Sequence, residues 1–189
     1  DKVRSISGIK LTTDPGIILD DPEIDIIVEV MGNEHPTLSY VKKALREKKH
    51  VVSANKLLLA LHGEELHTIA CNHGVRLLYE GSVLGGIPIL GTIQRGLSGD
   101  SVQEIRGILN GTTNFILSQM VNSGEEYNKA LACAQEAGYA EADPVMDVSG
   151  LDAACKLTIL CRECFGINLK LQDIQTSGIE NINSVQTVS

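Results

Sequence analysis

Asp152 and Lys156 stand four residues apart in Leu-Asp-Ala-Ala-Cys-Lys-Leu-Thr-Ile-Leu-Cys, a stretch whose other members from Leu151 to Cys161 are uncharged. On a helix, that spacing puts a carboxylate and an ammonium on one face. Surface helices carry many such pairs, and a solvated pair contributes little. This helix is apolar on almost every side, which is the mark of a buried one. Lysine is rarely buried without a partner. Burial lowers a lysine pKa and a neighbouring carboxylate raises it, so the balance can leave a proton donor usable near neutrality. An ion pair that only supports the helix and a general acid both fit these residues.

Three acids, Glu141, Asp143 and Asp147, crowd the loop before that helix. Carboxylates there either complement the helix dipole or hold an ammonium-bearing substrate. Lys56 follows a predicted strand at its carboxyl end, the edge where open α/β sheets bind ligands; a solvated lysine at a helix start reads equally well. Gly111-Thr112 opens another helix, whose free N–H groups receive a carboxylate or are capped by Thr112.

The elements that must position these groups alternate. Asp25 to Val30 is a short apolar run suited to a buried parallel strand, and His50 to Ser53 and Val75 to Tyr79 follow it as further strands. Between them, Thr37 to Lys49 and Leu57 to Asn72 read as helices. Pro36 sits in a first turn, and Gly74 acts as a stop. Strands separated by helices at intervals of about 25 residues are βα units of a doubly wound parallel sheet. From Gly81 to Gly91 the chain is rich in glycine and small apolar residues and reads as a hinge. Beyond it the pattern predicts a helix beginning within Ile87 to Gly96, a strand over Val102 to Leu109, and a helix from Gly111 to about Met120. An alanine-rich helix from Glu125 to Ala137 and a long helix from Leu151 to Phe165 follow. Ile179 to Ile182 is β-prone.

Composition excludes several classes. The 189 residues are 43% hydrophobic, enough for a globular core. No apolar run approaches the roughly 18 residues of a membrane span. A net charge of -8, 3% aromatic residues and no Trp argue against nucleic acid as a partner. The five cysteines are odd in number and lie mostly in apolar helical patterns, so they read as buried free thiols in a reducing, cytoplasmic setting. Cys161 and Cys164 form a lone CxxC on a helix, without the second pair a zinc site needs. The dinucleotide fingerprint G-x-G-x-x-G is absent. Either no dinucleotide binds, or the chain starts inside such a domain.

One further pattern ties these residues together. Ala134 to Lys156, AQEAGYAEADPVMDVSGLDAACK, resembles the signature of homoserine dehydrogenases, a Gly-Tyr, an acidic-Pro pair, an Asp, then Gly-x-Asp-x-x-x-Lys. Val52-Ser53-Ala54-Asn55-Lys56, Tyr79-Glu80, Gly85-Gly86-Ile87-Pro88-Ile89 and Gly107 to Asn114 agree, in order. The resemblance implies an NAD- or NADP-dependent enzyme that interconverts L-homoserine and L-aspartate 4-semialdehyde, on the route to threonine, methionine and isoleucine. It implies Lys156 as general acid and Asp152 as its orienting partner. Glu141, Asp147, Tyr139, Gly111 and Thr112 would bind substrate, and Lys56, Met31 and Gly32 the cofactor. Glu80, Val83, Gly85 and Ile87 would hold a monovalent cation, sodium, mainly through backbone carbonyls; Gly81-Ser82 and Leu84 replace alanines common in the family beside that loop. The implied fold is the C-terminal part of a dinucleotide-binding domain over 1–86 and an α+β catalytic and dimerisation domain over 87–189. The glycine-rich βαβ unit would then precede Asp1, leaving a partial homodimeric enzyme without activity of its own. A non-catalytic dimerisation module reusing the fold is the alternative.

Overall fold

In the computed structural model, which describes residues 9–182, the βα alternation becomes a three-stranded parallel sheet. A short helix α1 (Gly16–Leu19) precedes β1 (Ile26–Glu29), α2 (Thr37–Arg46), β2 (His50–Ser53), α3 (Lys56–His73) and β3 (Leu77–Leu78). The strands lie in the order β1-β2-β3, with Val28 opposite Val52 and Val51 opposite Leu77. Leu38, Val41 and Leu45 of α2 and Leu58, Leu59 and Leu66 of α3 form the core beneath the sheet with Val51 and Leu77. The predicted two-sided burial of β1 is corrected. Ile26 and Val28 are 57% and 66% exposed, because no described element covers that face of the sheet.

Helix α3 is set by its cap. Buried Asn55 accepts from the Leu58 N–H at 3.1 Å, and its amide donates to the Asn33 carbonyl at 2.7 Å. This ties the β1–α2 turn to the start of α3. Asn55→Ala loses the cap and leaves the buried Leu58 N–H unpaired, so it should cost about 1–3 kcal/mol. The check is the urea midpoint, which should fall without a change of slope.

The second half is helical. A single turn α4 (Ile89–Gly91) runs into a π-helical turn over Thr92–Gly96, followed by α5 (Gly111–Ser123), α6 (Tyr127–Glu136), α7 (Val145–Val148) and α8 (Leu151–Phe165). Ile116 and Met120 of α5, Ala130 and Ala134 of α6, Val148 and Ile179 make a second core. Helix α8, by contrast, buries Ile159 and Leu160 in the first core. It packs along α3, where the Arg162 guanidinium lies over Gly63 and donates to the Leu59 carbonyl at 3.1 Å. Near its far end, Glu163 accepts from the buried Tyr79 hydroxyl and from Gln94 (2.6 Å), while His67 Nε2 meets the same hydroxyl at 2.7 Å. Burial and the Glu163 charge hold the Tyr79 phenol well above its usual pKa, so it remains a donor.

Several expectations are corrected. Residues 102–109 form no strand, since their weak alternation finds no partner among the described residues. Ile179 to Ile182 is a turn packed on α7 through the Ile179 N–H and the Val148 carbonyl. Helix α5 runs three residues past Met120 to a left-handed stop at Gly124, and α6 begins at Tyr127, not Glu125. Pro36 stands at the N-cap of α2, one place before the first turn. Cys155 and Cys161 are buried as expected, whereas Cys71 faces solvent. No helix among the described residues is long and apolar enough to cross a membrane.

Candidate active site around Asp152

The left-handed Gly150 (φ 86°) turns the chain from α7 into α8, and Asp152 falls in the first turn, where the helix dipole favours a carboxylate. Its side chain is 1% exposed. Oδ2 accepts from Lys156 Nζ at 2.6 Å and from Asn110 Nδ2 at 2.8 Å. Oδ1 has no aligned hydrogen bond; its partner is the Lys56 ammonium at 2.5 Å. Lys156 Nζ also donates to the Leu109 carbonyl at 2.8 Å. Asn110 Nδ2 reaches a second carboxylate, Asp147 Oδ1, at 2.6 Å. Two ammonium groups and two carboxylates thus share one small region.

The electrostatics follow from that arrangement. Burial pushes the Asp152 carboxyl up, but contacts from Lys156, Lys56 and Asn110 outweigh it and hold the group below the usual carboxylate range. For Lys56 burial works against the charge, and Asp152 more than offsets it, so the ammonium is held above its ordinary pKa. Burial, helped by the Asp152 charge, pushes the Cys155 thiol up to about 11. At neutral pH it is a protonated thiol beside the cluster, unsuited to nucleophilic work.

Of the residues predicted from sequence, the structure brings Lys56, Asp147, Asp152 and Lys156 together. Thr112 is not the cap of α5. Its hydroxyl donates to the Tyr139 carbonyl at 2.7 Å, and the cap is Asn110, whose Oδ1 accepts from the Thr113 N–H at 2.8 Å. Gly111 is exposed, and no other part of the described protein crowds the place where a Cβ would stand. The Tyr139 ring is exposed and stacks on Phe115 at 4.5 Å. Glu141 is exposed, and its backbone carbonyl accepts from Gln135. Neither the Tyr139 nor the Glu141 side chain hydrogen-bonds the cluster. Met31 is half-exposed at the carboxyl end of β1, its N–H on the buried Glu29 carboxylate at 2.7 Å. Gly32 beside it (φ 80°) also faces open space.

This edge of the sheet is open to a ligand. Met31 offers an exposed apolar surface, Gly32 leaves room for close approach, and the Lys56 side chain is 38% exposed at its partner's rim. At the other loop, both Glu80 carboxylate oxygens are occupied by the Leu90 and Gly91 N–H groups, each at 2.8 Å. Of the backbone carbonyls in this loop, those of Glu80 and Ile87 accept from the Val83 and Ile89 N–H groups at 3.5 and 2.8 Å, and Leu84 (φ 57°) and Gly85 (φ 52°) turn the chain sharply. No group of three His, Cys, Asp or Glu side chains suited to a metal occurs among the described residues.

Sequence reasoning passed over Asn110 and the Leu109 carbonyl. The signal for Asn110 was present, because an Asn directly before a helix start is among the strongest N-caps.

The profile of the family Homoserine dehydrogenase matches residues 88–188, and that of Homoserine dehydrogenase, NAD binding domain, matches residues 4–80. Over 172 residues the chain is 48% identical to the homoserine dehydrogenase of Bacillus subtilis, covering 91% of this chain and 40% of that protein. Among solved structures, a homoserine dehydrogenase from Thiobacillus denitrificans superposes with a TM-score of 0.92 at 44% identity, over 95% of this chain and 42% of that one. A hyperthermophilic archaeal homoserine dehydrogenase in complex with NADPH gives 0.82 at 27% identity, over 95% and 56%. The chain spans about 40% of the length of the curated relatives it matches.

Proposed function

This chain belongs to the homoserine dehydrogenase family, and we propose that its Asp152 cluster is the substrate side of an NAD(P)-dependent site interconverting L-homoserine and L-aspartate 4-semialdehyde. One observation supports this above all: Lys156 is held by a buried carboxylate and a backbone carbonyl at the start of a helix that packs on the sheet domain. A module serving assembly alone has no use for two lysines drawn onto one buried acid.

On this reading Met31, Gly32 and Lys56 hold the nicotinamide end of NAD(P)H, which when bound supplies the hydride. Lys156 holds a proton at Nζ, aimed by Asp152 Oδ2 and the Leu109 carbonyl. That proton goes to the aldehyde oxygen as the alcohol forms, and returns to Nζ in the reverse direction. Lys56, on the other oxygen of Asp152, keeps that carboxylate ionised in the meantime. Glu141 and Asp147 bind the substrate ammonium, with Tyr139, Gly111 and Thr112 lining the pocket. A monovalent cation on the carbonyls of the 80–87 loop belongs to the same reading, as do the domain division near residue 86, the biosynthetic role and a cytoplasmic setting. The test is oxidation of homoserine by the enzyme containing this chain, followed as NADPH or NADH formation. Failure with both cofactors overturns the assignment.

The same reading includes a homodimer. Ile108 is 68% exposed in the unpaired 102–109 stretch, with Ile105 and Leu109 partly buried beside it. Such a stretch is available for pairing with a second copy. Light scattering at micromolar concentration should give twice the mass of the chain in solution, and a monomer would contradict the pairing.

A further inference from the structure

We propose that Asn110 is a positioning residue for the Lys156 proton donor: its amide bridges Asp147 and Asp152 and thereby sorts the two oxygens of Asp152 between the two lysines. The proposal rests on reading the cluster as the substrate side of the dehydrogenase site.

Asn110 is 6% exposed, and every polar atom of its side chain is committed. Oδ1 accepts from the Thr113 N–H at 2.8 Å and meets the Thr113 hydroxyl at 3.0 Å. The amide carries two protons, and it donates to Asp147 Oδ1 and Asp152 Oδ2. Exchanging the amide's oxygen and nitrogen would aim a carbonyl at two carboxylates and an NH2 at an N–H donor. Only one orientation is therefore tenable, and the first turn of α5 fixes it.

The consequence lies in how Asp152 is divided. With Asn110 and Lys156 both on Oδ2, Oδ1 is left to Lys56. The residue just before Asn110 supplies the carbonyl that also holds Lys156. A single dipeptide, Leu109-Asn110, thus grips the ammonium through its backbone and the carboxylate through its side chain. Without the amide, Asp147 and Asp152 lose their shared donor and repel one another. Asp152 is then free to rotate, and neither lysine has a fixed oxygen.

Asn110 is also a helix cap, so capping and bridging must be separated. Asn, Asp and Ser cap comparably, but of the three only Asn presents two amide protons. Asn110→Ser therefore keeps the cap and removes the bridge. Asn110→Asp does the same and adds a carboxylate to a cluster whose other ionisable members are Asp147, Asp152, Lys56, Lys156 and Cys155. In the enzyme containing this chain, both variants should stay folded because the cap is kept, with a urea midpoint lowered in step with the upward move of the Asp152 titration, and further in Asn110→Asp. Their kcat should fall about 10- to 100-fold, the scale that a misplacement of about 1 Å can cost, with a smaller rise in KM for the nucleotide because Lys56 loses its fixed oxygen as well. The Asp152 carboxyl titration, read by NMR, should move to higher pH in Asn110→Ser and further in Asn110→Asp. An Asn110→Ser enzyme with unaltered kcat and an unmoved Asp152 titration overturns the proposal, because it would show that the cap alone matters. An inactive unsubstituted enzyme would defeat the dehydrogenase reading instead. In that case the Asp152 titration still decides whether Asn110 sorts the carboxylate.

Discussion

Lys156→Ala, made in the enzyme that contains this chain, should lower kcat by about 10²- to 10⁴-fold, the range for losing a general acid, with a much smaller change in KM. The reason is local. Lys156 Nζ is the one proton-bearing group held at once by Asp152 Oδ2 and the Leu109 carbonyl. Removing it leaves Lys56 on the other oxygen of Asp152, at the sheet edge, which on the proposed reading is the cofactor side. Folding should survive, because Asp152 keeps Lys56 and Asn110 as partners. Steady-state kinetics with homoserine, together with a thermal melt, separate the two effects. Turnover within a few-fold of the unsubstituted enzyme would show that another group delivers the proton.

Asp152→Ala should be damaging in a different way, unfolding the protein more readily as well as stopping turnover. Breaking a buried pair by deleting one partner costs about 3–5 kcal/mol, and the partial exposure of Lys56 argues for the lower end. Lys156, at 16% exposure, bears most of the loss, since it keeps only the Leu109 carbonyl. The pH dependence has a definite sign. Asp152 titrates lower in the folded protein than in the unfolded chain, so its contribution is fully present above the ordinary carboxylate range. It is lost as pH falls through that range towards the depressed folded value. The difference in urea stability between the unsubstituted protein and Asp152→Ala should therefore shrink between neutral pH and about pH 3. A gap of the same size at both pH values would mean that Asp152 is not the ionised centre of the cluster.

Helix α8 was legible from the sequence at both ends, because Gly150 and Gly166 bracket an apolar run too long for a strand. The Asp152–Lys156 contact was legible too, since it depends only on the four-residue spacing within one helix. The Lys56–Asp152 contact spans two helices, and neither sequence segment carries a sign that the other will meet it. Asn110 is intermediate. Its capping role is local and readable, whereas its second role depends on α8 docking beside α5. The strand expected over 102–109 failed for a similar reason. Alternation reports a preference, but a ladder requires a partner, and none of the described segments supplies one. The exposure of Ile26 and Val28 shows the same limit, because an apolar run cannot say how many of its faces will be covered.

Helix α8 can be regarded as a beam with a polar support near each end. At one end Asp152 is pinned to Lys56 on α3, and at the other Glu163 is pinned to the hydroxyl of Tyr79 at the end of β3. The supports are eleven residues apart, roughly 16 Å along the axis, and Lys156 sits between them. A beam held at one point can swing about it, whereas one held at two can neither slide nor roll. The His67–Tyr79–Glu163 chain makes no hydrogen bond to the Asp152 cluster, yet it helps to hold the helix that carries Lys156. The placing of one nitrogen thus draws in part on a phenol that meets the helix two turns further along.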